Sequence, residues 1–205
     1  MAFETYTDLR GAVTEWLARS DLEERVPDFI RIAEVQIGRR LKAVAMEYIA
    51  STPIVAGQVY YALPSLLIEL RNLYLISGVD TTKVVYRTPE QLITEFPNQD
   101  SDATAYTIVD GQIKLNSTSG TNAVTLAISY WRQFDPLSES NETNWLITDA
   151  PDVILYGALL AAEAYIKDDK RLPVWKTQYA EEIALINIRE DKLRHSGSHL
   201  AVRTA

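Results

Sequence analysis

The sequence predicts an α+β fold: a four-helix bundle formed by N- and C-terminal helix pairs, with a small antiparallel β-sandwich or barrel inserted between them. Helical spacing of apolar residues occupies both ends of the chain. The middle instead carries short β-branched and aromatic runs. Turn residues punctuate those runs at close intervals. With 205 residues, 47% hydrophobic and 23% charged, the chain can fill one core, or one core and a smaller satellite. A wholly disordered chain is excluded by that composition.

The first helix starts at Thr7 or Asp8 as cap, and Leu9, Val13, Trp16 and Leu17 form its apolar stripe. Ser20-Asp21 interrupts the chain. Pro27 suits the first turn of a second helix. There Ile30, Ala33, Ile37, Leu41 and Val44 share one face, while Arg31, Glu34, Arg39, Arg40 and Lys42 fall mainly on the other, read as solvated. From Met46 the pattern changes. Strands are expected at Glu47–Thr52, Val59–Leu63, Ile68–Ile76, Lys83–Tyr86, Ala105–Val109, Gln112–Leu115 and Ala123–Trp131. Asp110-Gly111 between two of them marks a hairpin. In the last run Val124, Leu126, Ile128 and Tyr130 alternate with Thr125, Ala127, Ser129 and Trp131, the pattern of a half-buried strand. One short helix interrupts the region, capped by Thr88 and opened by Pro89.

Asp135 to Thr148 reads as a polar linker. A second helix pair follows, with Asp149 as cap, Pro151 in the first turn, and Val153, Tyr156, Leu160 and Ala164 along one face. The run Gly157-Ala158-Leu159-Leu160-Ala161-Ala162 is rich in small residues and lets a neighbouring helix come close. The last helix places Leu172, Trp175, Tyr179, Ile183, Ile186, Glu190 and Leu193 on one stripe and ends near Gly197. The organisation is thus residues 1–45 and 136–196 as a helical bundle domain, 46–135 as an inserted β-rich domain, and 197–205 as a flexible C-terminal tail. Two separate helix pairs would each be too small to fold well, which favours one shared core.

Composition excludes several kinds of chemistry. The sequence has no cysteine, so it forms no disulfide and no thiolate metal site. No apolar run reaches membrane-spanning length, and Met1-Ala2-Phe3-Glu4 lacks the features of a signal peptide. A net charge of −8 opposes general nucleic-acid binding but suits a wall that DNA slides past. The two histidines, His195 and His199, flank Gly197, and no third metal ligand accompanies them. Phosphate-cradling glycine motifs and a nucleophile elbow are missing. Adjacent carboxylates such as Glu181-Glu182 diverge by about 100° on a helix and do not share a site. No catalytic residue, cofactor or metal is therefore expected, and the protein is read as structural rather than as an enzyme. Tyr60, Tyr61 and Trp131 are the candidate interface aromatics. Alternation turns one member of each adjacent aromatic pair, Tyr60-Tyr61 and Tyr130-Trp131, into the core. The locally basic end, with Arg194, His195, His199, Leu200 and Arg203, is a candidate docking tail.

Taken together, Asn144-Trp145-Leu146-Ile147, Ala150-Pro151-Asp152, Leu155-Tyr156-Gly157-Ala158-Leu159-Leu160, Lys167-Asp168-Asp169, Arg171, Trp175 and Tyr179 resemble the C-terminal helix pair of head-to-tail adaptors of tailed bacteriophages. Val26-Pro27-Asp28-Phe29-Ile30, Ala33-Glu34, Tyr61-Ala62-Leu63-Pro64 and Pro89-Glu90-Gln91-Leu92 agree in order and spacing. The likeness covers nearly the whole chain and extends, more loosely, to tail tubular protein A of short-tailed phages. It implies a virion protein, made in the bacterial host cytoplasm, whose copies form a homo-oligomeric ring, commonly dodecameric, beneath the portal protein. The ring would extend the DNA channel without binding DNA specifically. Its helices would face the portal and its β module the tail tube or nozzle, with no membrane involved. Residues 195–205 match the portal-docking extension of the family. Two other readings stand beside it: a tail-completion or tail-terminator ring protein binding the tail tube, and a carbohydrate-binding module using exposed tyrosines.

Overall fold

The computed structural model describes residues 3–41, 43–96, 103–117, 124–166 and 169–195. In chain order the elements are α1 (Tyr6–Leu17), α2 (Val26–Arg40), β1 (Glu47–Pro53), β2 (Tyr60–Ala62), β3 (Leu67–Ser77), β4 (Asp80–Tyr86), α3 (Pro89–Glu95), β5 (Ala105–Val109), β6 (Gln112–Leu115), β7 (Val124–Arg132), α4 (Trp145–Asp149), α5 (Pro151–Ala161) and α6 (Leu172–His195). Among the described residues this is a mixed α+β fold of six helices and one seven-stranded sheet. The chain divides into two compact units, Met1–Met46 with Phe134–Ala205, and Glu47–Gln133.

In the helical unit, α5 is the element against which α1, α2 and α6 all pack. Its sequence expectation was a single apolar face. Instead Val153, Ile154, Leu155, Gly157, Ala158 and Leu159 are all buried, so apolar surface runs nearly round the helix. A helix with neighbours on several sides has no polar face to present. Ala164 lies beyond its end, in a short 3-10 turn, and is exposed. Asp149 does not cap α5, since Ala150 holds that position without a side-chain bond. Asp149 instead pairs with Arg189 at 2.7 Å. The α1 cap is also earlier than expected. Thr5 accepts the Asp8 N–H at 3.1 Å, while Thr7 donates to Glu142 at 3.0 Å. Leu9, Val13 and Leu17 are buried as expected, but Trp16 stands 41% exposed, its ring edge-on to Tyr156.

The β unit is one continuous sheet, ordered β1-β7-β3-β4-β5-β6-β2. β4 is where it turns. Its Val84 pairs with Leu73 of β3, whereas Val85 and Tyr86 pair with Ala105 and Tyr106 of β5. Register shifts in β3 between Leu67 and Glu69, and between Leu70 and Asn72, add bulges that increase local bend and twist. The sheet curls so that both halves feed one core. Leu73, Leu75, Val84, Leu126, Ile128 and Tyr130 come from one half; Tyr61, Tyr106, Ile113 and Leu115 come from the other.

The β4–β5 pair is parallel, which corrects the wholly antiparallel expectation. Parallel neighbours need a crossover, and α3 supplies it between the two strands. Thr88 and Gln91 form a reciprocal capping box at its start. The Asp110-Gly111 turn has both residues at positive φ, +52° and +66°, as a two-residue type I′ hairpin requires.

At Gly157 a missing side chain sets the helix spacing. A Cβ there would lie 3.0 Å from Ala33 Cβ, 3.4 Å from Ile37 Cδ1 and 3.4 Å from Tyr179 Cε2. Ala33 cannot rotate away, because its Cβ is fixed to the α2 backbone. A large residue must therefore push α2 or α6 off α5. Gly157→Leu is expected to destabilise the protein by about 1–3 kcal/mol despite the better helix propensity of leucine. Thermal unfolding measures it, and an unchanged or higher Tm would contradict this packing.

Candidate functional site

Glu34 was expected on the solvated face of α2. It is instead fully buried, at 0% exposure, whereas Arg31, Arg39 and Arg40 are exposed. Lys42 lies outside the described residues. The reason is local. One Glu34 oxygen, Oε1, accepts the backbone N–H of Leu137 at 2.8 Å and the Asn144 amide at 3.1 Å. Its other oxygen is 3.6 Å from the Arg31 guanidinium. Asn144 in turn donates to the Asp135 carbonyl and accepts the Ile147 N–H as N-cap of α4. The segment expected to be a polar linker is therefore tied down, and it contains the start of a helix.

A second buried carboxylate does the same work on the other side of the β insertion. Glu190 of α6 is 4% exposed. Its Oε2 accepts the Val44 N–H at 2.7 Å, and Arg189 approaches its other oxygen at 3.3 Å. Val44 lies just before β1, and Leu137 just after β7. Each carboxylate thus fixes a backbone N–H where the chain leaves or re-enters the helical unit. Arg171 adds a third tie within that unit. It donates to the Trp16 carbonyl at 2.7 Å, pairs with Asp169 and stacks over Trp175.

The candidate interface aromatics differ in exposure. Tyr60 is 43% exposed, with the Lys114 ammonium over its ring. Tyr61 and Trp131 are buried, at 3% and 4%, so neither is an exposed aromatic. Tyr61 points inward from β2. Its hydroxyl donates to the Gln58 carbonyl and accepts the Val55 N–H, which pins the turn before β2. Trp131 lies on β7, a central strand between β1 and β3, under the Arg71 guanidinium. Tyr130 beside it is buried too, so β7 is covered on both faces here. Arg194 sits in the last turn of α6 with Asp191 3.5 Å away, and His195 is the final residue of that helix. His199, Leu200 and Arg203 lie outside the described residues. Among the described residues no group of three or more His, Asp or Glu could hold a metal, and no helix is long and apolar enough to cross a membrane.

Burial pushes the Glu34 carboxyl up to about 7, against the lowering effects of the Leu137 N–H, Arg31 and Asn144. Because both bonds go to Oε1, the acid can keep them when protonated. Between about pH 4.5 and 7 the folded chain holds a proton that the unfolded chain has lost, so stability falls as pH rises through that window. The effect totals about 3 kcal/mol. Glu34→Gln should flatten this slope relative to the parent and unfold at a higher temperature than it at pH 8. Glu34→Ala should lose about 1–3 kcal/mol by stranding the Leu137 N–H. Denaturant unfolding across pH checks both, and an identical slope in the Gln variant would refute the assignment.

No curated protein matches the chain. The family model described as SU10 adaptor protein matches residues 4–203, spanning both units and nearly the whole sequence. A match of that extent assigns the chain, which belongs to the SU10 adaptor protein family, a family of structural phage adaptors.

Proposed function

We propose that the protein is a head-to-tail adaptor of the virion. Its copies form a ring, dodecameric in this reading, beneath the portal; the ring extends the DNA channel and offers the tail its attachment platform. The observation that carries the proposal is the family match over residues 4–203. The helical unit acts as a four-helix bundle that faces the portal and the neighbouring copies. The β unit, with Tyr60 exposed on it, faces the tail tube or nozzle. The net charge of −8 supports a lumen that repels phosphates and lets DNA pass without adhering. Arg194 and His195, at the end of α6, together with His199, Leu200 and Arg203 dock into the portal.

Docking-induced assembly has a kinetic advantage: the ring forms only where a filled head presents its portal. Purified protein is expected to be monomeric or weakly associated by light scattering, and to assemble into rings when mixed with portal protein, seen by negative-stain electron microscopy. A stable ring without portal would count against this order of events. Binding to tail-tube protein with none to portal would make it a tail-completion or tail-terminator subunit. Deleting residues 196–205 should abolish portal capture while leaving the Tm within about 1 °C, because the core described in the helical unit is built from residues before that point. Undiminished capture would remove the tail from the docking surface.

A further inference from the structure

Two helix faces in the helical unit stay exposed among the described residues. α2 packs on α5 through Phe29, Ile30, Ala33 and Ile37. Its opposite face carries Arg25, Asp28, Ile32, Val35 and Arg39 at alternating spacings of three and four residues. Ile32 is 44% exposed there. α6 packs on α5 through Trp175, Tyr179 and Ile186. Its opposite face repeats the pattern with Glu181, Leu185, Ile188 and Lys192, again spaced four, three and four apart. Leu185 and Ile188 are 57% and 52% exposed. Such spacing lets two helices pack side by side at a shallow angle, with apolar residues interdigitating. The two faces cannot meet within one chain, since both helices already turn their other sides to α5.

Charge fixes the direction in which the faces would combine. In an antiparallel arrangement Ile32 meets Ile188, Val35 meets Leu185, Asp28 meets Lys192 and Arg39 meets Glu181, all in one register. A parallel arrangement sets Asp28 against Glu181 and Arg39 against Lys192. Opposite charges across the contact favour the first and oppose the second. An antiparallel pair of two α2 faces also sets Asp28 against Arg39, and one of two α6 faces sets Glu181 against Lys192. The choice of α6 as the partner of α2 follows from the ring reading, which needs unlike faces.

We infer that the α6 face of one copy docks antiparallel on the α2 face of the next, in the register Ile32–Ile188, Val35–Leu185 and Arg39–Glu181. This deepens the ring reading and rests on it: because the two faces differ, the contact is head-to-tail and repeats from copy to copy, as ring closure requires.

The sequence contains no cysteine, so engineered disulfides meet no background. Val35→Cys and Leu185→Cys are exposed or half-buried substitutions outside the core. The two single variants, mixed at high concentration and oxidised, should give a mixed disulfide at least tenfold faster than Leu185→Cys mixed with an Asp80→Cys control on the β unit. Arg39→Glu in the first partner should abolish that advantage, and Glu181→Arg in the second should restore it. No advantage over the control overturns the docking, as does faster disulfide formation within either single variant alone, which would indicate like-with-like pairing. The double variant Val35→Cys/Leu185→Cys separates the inference from the ring itself. A ladder of covalent oligomers that stops at one closed size supports both. An open ladder without a final size keeps the contact and refutes the ring.

Discussion

The close approach of α2 and α6 to α5 at Gly157 is the constraint on which the helical unit depends. Ala33, Ile37 and Tyr179 all come within van der Waals reach of the place a side chain would occupy. Three helices therefore meet at one small residue, and their separation is set there rather than by adjustable long side chains. A helix buried on so many sides must be apolar nearly all round, which explains the unbroken Val153-Ile154-Leu155 and Ala158-Leu159 runs of α5. It also explains the outer helices. With their inner sides committed to α5, α2 and α6 are left with outward faces that stay exposed among the described residues.

The same helices carry the two buried carboxylates. Both hold backbone of the helical unit close to the points where the chain leaves it and returns. Glu190 binds the backbone at Val44, and Glu34 binds it at Leu137 and reaches Asn144. Burying a carboxyl carries a desolvation penalty, visible in the raised Glu34 pKa. Hydrogen bonds from backbone N–H groups, which would otherwise be buried and unpaired, offset part of it. An apolar residue at either site would remove the penalty and the anchor together.

Much of the fold was legible in the sequence because local signals were strong and mutually consistent. Each of the seven strands begins or ends within a few residues of its turn signal; Asp110-Gly111 and the Thr88-Pro89 start behave as their chemistry dictates. The errors have a different character. Glu34 and Trp131 meet partners distant in sequence, Leu137 and Arg71, whereas Tyr61 is the inward member of its pair and bonds the nearby Val55–Gln58 turn. Nothing near Glu34 in the sequence announces Leu137. The parallel β4–β5 pair was more accessible. A capped helix between two strands is itself the signature of a crossover, and giving α3 that weight would have predicted it.

The candidate surfaces were legible only in part for a related reason. Helical periodicity identifies a buried stripe readily, because apolar residues dominate it. An outward stripe that alternates charge with apolar residues looks like ordinary solvated surface until the inner stripe is known. On α2, Ile32 and Val35 fit neither the core nor a purely polar exterior, and on α6 Leu185 and Ile188 stand in the same position. Single exposed apolar residues need no explanation. Two pairs of them, each flanked one turn away by an acid on one side and a base on the other, do. The pairs match only when the helices run in opposite directions, which is information that neither helix contains alone. In the ring proposed above each copy carries such complementary halves on different sides of its helical unit, and the packing of α2 and α6 on α5 holds those two sides apart.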